Sequence, residues 1–423
     1  MRAKRAAACL LATAVSLSLF AGCGSNGRGS DGSEKVNESA GSNEILLWSS
    51  ATGPDGERIQ KTIDAYNGTD PAYKVKFVSM QADTFNTKLS TAGRSGKGVP
   101  DLALVSSESL PTYNTQGMLV SWDDMIAGTE VKKENYVESA WEVGNLGGEQ
   151  YGVPATMGSW VMYYNEDLMN KYAPTAMDDG YVTFEEIEAA GEAAKADGIY
   201  SYANTWSMQN YSNLYLQMGG EWLNADGKIS VNNDVSTAVV EELKKLNDLG
   251  YMVPNGEDAN KMFMNQKLIF LPEGTWMLGN MEGIKDFAWK ETFVPQWDLN
   301  NIVQCSGVDQ FAIFKSKEER SGEKLQGMVA FMEWLQSNQL EWVKSGANPS
   351  ALAMLENEEY LAMPQSFLLT TEEGRSAINI NAAEGLSYVF GEYDTRAWDM
   401  ITGVADGAET FNEIQKIVDE KMK

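Results

Sequence analysis

Twelve tryptophans and 17 tyrosines, set among 60 acidic side chains and no histidine, are the chemistry-bearing stock of this 423-residue chain. Without histidine there is no Ser-His-Asp or Cys-His nucleophile, no histidine zinc site and no imidazole base near neutral pH. An indole offers a flat face for stacking, while carboxylates, amides and hydroxyls bond polar edges. Residues of these types at strand ends are therefore the ones to follow. Trp276 stands just past an apolar run, two residues beyond Gly274, where it either stacks on a ligand or plugs a core. Trp206 closes the triplet Asn204-Thr205-Trp206, and Trp160 opens a bulky run that continues through Tyr164. Trp398 lies near the start of a C-terminal helix. Among polar residues, Ser106, Ser107 and Glu108 follow the apolar run Asp101–Val105, although Glu108 can equally serve the dipole of a helix start. Ser50 with Thr52 follows a first strand and Gln81 a second, and Asp309 ends Gly307-Val308-Asp309. Trp334 and Trp342 lie on or beside an amphipathic helix and read as core.

The elements that must position these residues alternate. Ile45–Ser49 reads as a strand, and Gly53-Pro54-Asp55 opens a helix with Ile59, Ile63 and Tyr66 on one face, ended by Gly68. A strand over Lys74–Met80, a helical stripe of Phe85, Leu89 and Ala92, and a strand over Asp101–Val105 follow. This β-α-β-α-β order predicts a largely parallel, doubly wound sheet with binding loops at the strand ends. A second series begins near Tyr151. Thr183 with Glu186 forms a capping box before a helix bearing Ile187, Ala190 and Ala194. Asp234 caps a helix with Val239, Leu243 and Leu246 that stops at Gly250, and Lys267–Leu271 reads as a strand. Leu325, Met328, Val329, Met332 and Leu335 mark one amphipathic helix, and Phe411, Ile414, Val418 and Met422 another. Two α/β lobes are expected.

Arg2, Lys4 and Arg5 precede the apolar run Ala6–Phe20, the layout of a secretory signal too short to span a membrane. Ala21-Gly22-Cys23 resembles a bacterial lipoprotein signal, with Phe20 where that pattern usually has Leu. The resemblance implies that residues 1–22 are removed and that Cys23 carries lipid. Gly24–Asn43 holds almost no apolar side chain and reads, with Cys23, as a tether spanning roughly 25 Å. Losing three basic residues with the signal moves the net charge from −27 to −30. Such a charge disfavours nucleic acid and electrostatic adhesion to anionic lipid. With Cys9 in the signal and Cys23 lipidated, Cys305 is left alone and no internal disulfide forms.

Two motif matches carry nothing. Gly22, Gly24 and Gly27 fit a dinucleotide fingerprint but lie at the cleavage site, without the strand and helix it needs. Residues 179–186 look like half of a calcium loop, yet Thr175 and Met177 stand where acids are required. No metal or cofactor is expected.

Several segments together resemble family 1 extracellular solute-binding proteins of ABC importers, the group containing maltose-binding protein. They are Phe85–Asp101, Gln116-Gly117-Met118-Leu119, Tyr151-Gly152-Val153-Pro154, Tyr163-Tyr164-Asn165, Thr183–Gly198, Lys267–Trp276, Phe331–Ser337 and Ser345–Pro349. Their order and spacing carry the resemblance across roughly Glu44–Lys423. It implies a two-lobed periplasmic-binding-protein type II fold with a hinge and an interlobe cleft. Residues 44–152 plus 307–346 would form one lobe, and 154–306 plus 348–423 the other. It also implies a monomeric receptor on the outer face of the cell membrane, as in a Gram-positive bacterium, that hands a carbohydrate, by preference an oligosaccharide, to an ABC permease. On this resemblance Trp276 matches the sugar-stacking tryptophan, and Trp398, Trp206 and an acid near Glu108 fall where the family has cleft residues. By position alone Asn204, Trp160, Ser107, Gln81, Ser50 and Asp309 are further candidate contacts, with Trp160 and Asp309 open to a hinge role and Ser50 and Gln81 to simple solvation. The rival readings are an anchored glycoside hydrolase, with two carboxylates flanking a sugar, and a receptor for a non-sugar solute.

Overall fold

The computed structural model describes residues 41–423; the signal, Cys23 and nearly all of the tether lie outside them. The described part opens with β1 (Glu44–Ser49), α1 (Gly53–Gly68), β2 (Lys74–Ser79), α2 (Ala82–Ser95) and β3 (Leu102–Ser106). β1 pairs parallel with both β2 and β3, so the strands stand in the order 2-1-3 and their C-terminal ends share one edge. β1 and β3 are buried on both faces. Ile45 and Leu47 of β1 enter one core with Ile59 and Ile63 of α1, while Leu46 and Trp48 enter another with Phe85 and Leu89 of α2. Alternation sends successive side chains to opposite faces, which is why this strand is apolar almost throughout. Pro54 occupies the first turn of α1, where its missing N–H costs nothing.

The chain then enters β4 (Gly152–Asn165) and a helical layer of α3 (Phe184–Ala194), α4 (Ser207–Gln217) and α5 (Asp234–Leu249). The Thr183–Glu186 capping box is present at α3. At α5 the cap is Asn233, not Asp234. Asn233 has the extended backbone a cap requires (φ −133°, ψ 169°), and its side chain accepts from Ser236 N at 3.0 Å. Asp234 is already helical. The strand expected over Lys267–Leu271 is β5, shifted to Phe270–Gly274. Gln266 turns the chain with φ 55°, and Leu268 makes one bridge to Tyr200 before the ladder to β4 begins. β6 (Trp289–Thr292), β7 (Gln304–Phe314), α6 (Gly322–Gln336), α7 (Leu386–Asp394) and α8 (Gly407–Lys421) complete the elements needed below.

β4 and β7 account for the two lobes. Over Gly152–Ser159, β4 lies antiparallel to β7; over Trp160–Asn165 it pairs instead with β5 and β6. Val153 and Ala155 join the core beneath α1 and α6, whereas Met162 and Tyr164 join one containing Ile187, Leu214, Leu243 and Phe411. Val161 and Tyr163 face a further core with Phe263 and Leu271. One continuous strand therefore serves two sandwiches of helix, sheet and helix, and the fold is two-lobed. β7 departs from the largely parallel sheet expected. It pairs antiparallel with both β3 and β4, because it returns from the second lobe rather than from a crossover helix.

Candidate functional site

Where β4 and β7 run side by side, two glycines face each other. Gly158 and Gly307 are directly opposed in the ladder, and opposed residues of an antiparallel pair point to the same face. A Cβ on Gly158 would lie 3.6 Å from Cζ3 of Trp276, and one on Gly307 would lie 3.5 Å from Oε1 of Glu108. An indole and a carboxylate thus overhang one floor of bare backbone from opposite sides. With about 5 Å between opposed Cβ positions, they are separated by about 12 Å at most. Glycines inside apolar strands mark places where another group comes close to the backbone.

The aromatic side is built by second-lobe elements. Trp276 sits in the turn Thr275–Met277 that follows β5, and its ring lies on Gly274, where a Cβ would come within 2.1 Å of Cε2 and Cζ2. Only glycine leaves that space. Trp160 meets the ring edge-on at 5.1 Å and 83°, and Trp206 at 5.6 Å and 86°. Trp160 is buried with its Nε1 unpartnered, while Trp206 is 52% exposed. Trp206 also holds a left-handed backbone (φ 44°, ψ 65°), a conformation costing an ordinary L-residue about 1–2 kcal/mol. Its Nε1 donates to Oε1 of Glu273, a buried carboxylate that also accepts from Gly274 N at 3.0 Å and Asn260 Nδ2 at 3.3 Å. Burial pushes the Glu273 carboxyl upward.

The acidic side is built by first-lobe elements. Glu108 follows β3, Asp55 stands in the first turn of α1, and Asp309 lies on β7 two residues beyond Gly307. Asp309 opposes Thr156, whose Oγ1 donates to it at 3.4 Å, and alternation brings both to the face of the glycine pair. Burial raises all three carboxyls. Asp309 reaches about 7, through burial first and then the nearby charges of Asp55 and Glu108. Burial also lifts Glu108 and Asp55, with hydrogen bonds from Ser106 and Ser345 opposing it. Among the described residues no cluster has the make-up of a metal site.

The structure therefore brings Trp276, Trp160 and Trp206 together, and sets Glu108 and Asp309 across from them. The other expected residues differ. Ser107 is buried and engaged, donating to Asn381 O at 3.0 Å and accepting from Val308 N at 3.2 Å. Asn204 holds Ser207 Oγ at 2.9 Å, leaving its Oδ1 buried and unpartnered in the Trp206 loop. Ser50 and Gln81 are exposed at the ends of β1 and β2. Trp398 packs, half-buried, on the second-lobe core in the short helix Ala397–Ile401. Just before it, Asp394 accepts from Met208 N at 2.9 Å, which ties this segment to the start of α4. Sequence reasoning missed Asp55, Thr156, Glu273 and the glycine floor. The glycine at 158 within an apolar run was the one local signal for them.

A family model described as bacterial extracellular solute-binding protein matches residues 61–367. An arabinooligosaccharide-binding protein of Halalkalibacterium halodurans is 21% identical over 383 residues, covering 85% of this chain and 84% of the relative. One of the same name from Bacillus subtilis is 23% identical over 363 residues, covering 82% and 80%. Among solved structures, the ABC substrate-binding protein Lmo0181 from Listeria monocytogenes, in complex with cycloalternan, superposes with a TM-score of 0.74 at 17% identity, covering 90% of this chain and 98% of that one. The maltose-bound MalE3 of T. maritima gives 0.74 at 16% identity, with 89% and 99% covered. These structures share the two-lobed fold described above.

Proposed function

This chain belongs to the bacterial extracellular solute-binding protein family, and we propose that it captures an oligosaccharide between its lobes and delivers it to an ABC permease. The observation that carries this reading is the floor of Gly158 and Gly307, with an indole close above one glycine and a carboxyl close above the other. An indole covers the apolar C–H face of a sugar ring, while carboxylates each take two hydroxyl donors in strong hydrogen bonds. Capture proceeds by closure. Contacts from both lobes exist together only when the lobes approach, so ligand shifts the population towards the closed state, the surface a permease recognises. β4 and β7 are the segments that flex, dividing the chain into 44–152 with 307–346 and 154–306 with 348–423. Trp276, Trp160, Trp206, Glu108 and Asp309 make the first contacts; Trp398 and Asn204 extend them. Lipid on Cys23 holds the monomer at the outer face of the membrane, and no bond in the sugar is broken.

The names of the relatives make arabino-oligosaccharides the first class to test. A panel of arabino-, malto- and galacto-oligosaccharides titrated by calorimetry should yield at least one saturable binder, recovered intact afterwards. A panel without binders, or sugars returned cleaved, would overturn the proposal.

A further inference from the structure

We propose that Glu273 is a positioning residue for ligand capture: its buried carboxylate holds the Trp206 indole at right angles to Trp276 and so fixes the aromatic corner. The inference rests on the capture reading above for its purpose, but its geometry stands alone. Trp206 is one of three non-glycine residues with a left-handed backbone among those described, and the only aromatic of the three. It begins α4 with no side-chain cap, and it is half exposed, so core packing does not hold it there. What holds it is polar. Its Nε1 donates to Glu273, and its loop is tied to β5 by the Thr205 hydroxyl donating to Pro272 O. Asn210 Nδ2 in turn donates to Thr205 O, which anchors the loop to the first turn of α4.

Glu273 is only 2% exposed, and every donor it meets is neutral. Burying a carboxylate without a cation costs stability, so packing alone does not explain the choice. Orientation does. Two oxygens on one rigid strand residue receive the indole N–H, the Gly274 N–H and the Asn260 amide together, and Gly274 is the residue on which the Trp276 ring lies. A single side chain thereby sets the angle between two indoles. Trp206 and Gly274 both donate to Oε1 and Asn260 Nδ2 to Oε2, so a glutamine at 273 can keep its oxygen on the first two while a flip of the Asn260 amide, whose Oδ1 is buried and unpartnered, gives its N–H an acceptor.

The test compares Glu273→Gln, Glu273→Leu, Trp206→Phe and the double variant Trp206→Phe/Glu273→Leu in the full chain. The first readout needs no ligand: near-ultraviolet circular dichroism, which reports immobilised indoles, with far-ultraviolet spectra to establish folding. Glu273→Leu should lose the same band as Trp206→Phe, the double variant should lose no more, and Glu273→Gln should keep it. Should Glu273→Leu fail to fold, Glu273→Ala takes its place. A band kept in the folded variant that lacks the acceptor, unchanged in Trp206→Phe, or lost in Glu273→Gln, refutes the role. The second readout is arabinotriose affinity, which should fall about tenfold or more in Trp206→Phe and in Glu273→Leu, without adding in the double variant. Additive losses overturn the coupling. If wild type binds no arabinotriose, that ligand is wrong for the site, while the spectra still decide what Glu273 does.

Discussion

Glu291 supplies a sharp test of the second lobe's energetics. It lies on β6 opposite Tyr163 of β4, and both its carboxylate oxygens are buried without a hydrogen-bond partner. The Tyr163 hydroxyl leans towards the carbonyls of Gly274 and Thr275 at 3.4 Å, so it offers the carboxyl only partial relief. Burial pushes Glu291 up to about 8 from the ordinary 4.5. In the unfolded chain the group ionises near 4.5; in the folded protein it keeps its proton until about 8. The raised value therefore favours the fold at acid pH, and that advantage is lost progressively as pH climbs from 4.5 to about 8. A shift of that size corresponds to a loss on the order of 4–5 kcal/mol once both states are ionised. Glu291→Gln keeps the shape and removes the charge. Urea unfolding of wild type and variant across this range should give equal stabilities at the acid end. The variant should then gain several kcal/mol on the alkaline side. A difference that stays flat with pH would refute a desolvated Glu291.

Other consequences are as direct. Gly274→Ala drives a methyl into the Trp276 ring and should weaken oligosaccharide binding by about tenfold or more while leaving the lobes folded, which calorimetry and far-ultraviolet spectra would check. Asn233→Ala removes the cap of α5 and should cost about 1 kcal/mol in thermal or urea unfolding; Asp234→Ala should cost less. Wild-type affinity should rise as pH passes about 7, where Asp309 ionises and becomes a better acceptor for sugar hydroxyls. Asp309→Asn should flatten that profile, and superimposable profiles would remove Asp309 from the site.

Strong local signals carried most of the lobe architecture. The periodicities of Ile59, Ile63 and Tyr66 and of Phe85, Leu89 and Ala92 name helices whose faces are buried as expected, because those stripes have one core to meet. The capping box at Thr183 is a two-residue interaction written in four positions, and it is present. The shift of β5 and the cap at Asn233 were hidden for local reasons. A left-handed Gln266 and a choice between adjacent Asn and Asp turn on backbone angles that composition does not encode. The tryptophan group was legible by type, since indoles near strand ends are worth following. What drew them together was not, because the Gly158–Gly307 pairing joins residues far apart in the chain. Ser107 shows the opposite failure. A hydroxyl at a strand end reads as a free contact, yet here it bonds backbone from two other segments.

If sugar is captured as proposed, one ligand is held at once by Trp276 from the second lobe and Glu108 from the first. Oligosaccharide affinity of Trp276→Ala, Glu108→Gln and their combination, measured by calorimetry on proteins with wild-type unfolding curves, tests it most directly. Each single change should weaken the same sugar by about 1–3 kcal/mol, the range for losing a well-packed anchor or a charge-assisted bond. If either variant binds every sugar as tightly as wild type, the two groups do not share a ligand and the claim is wrong.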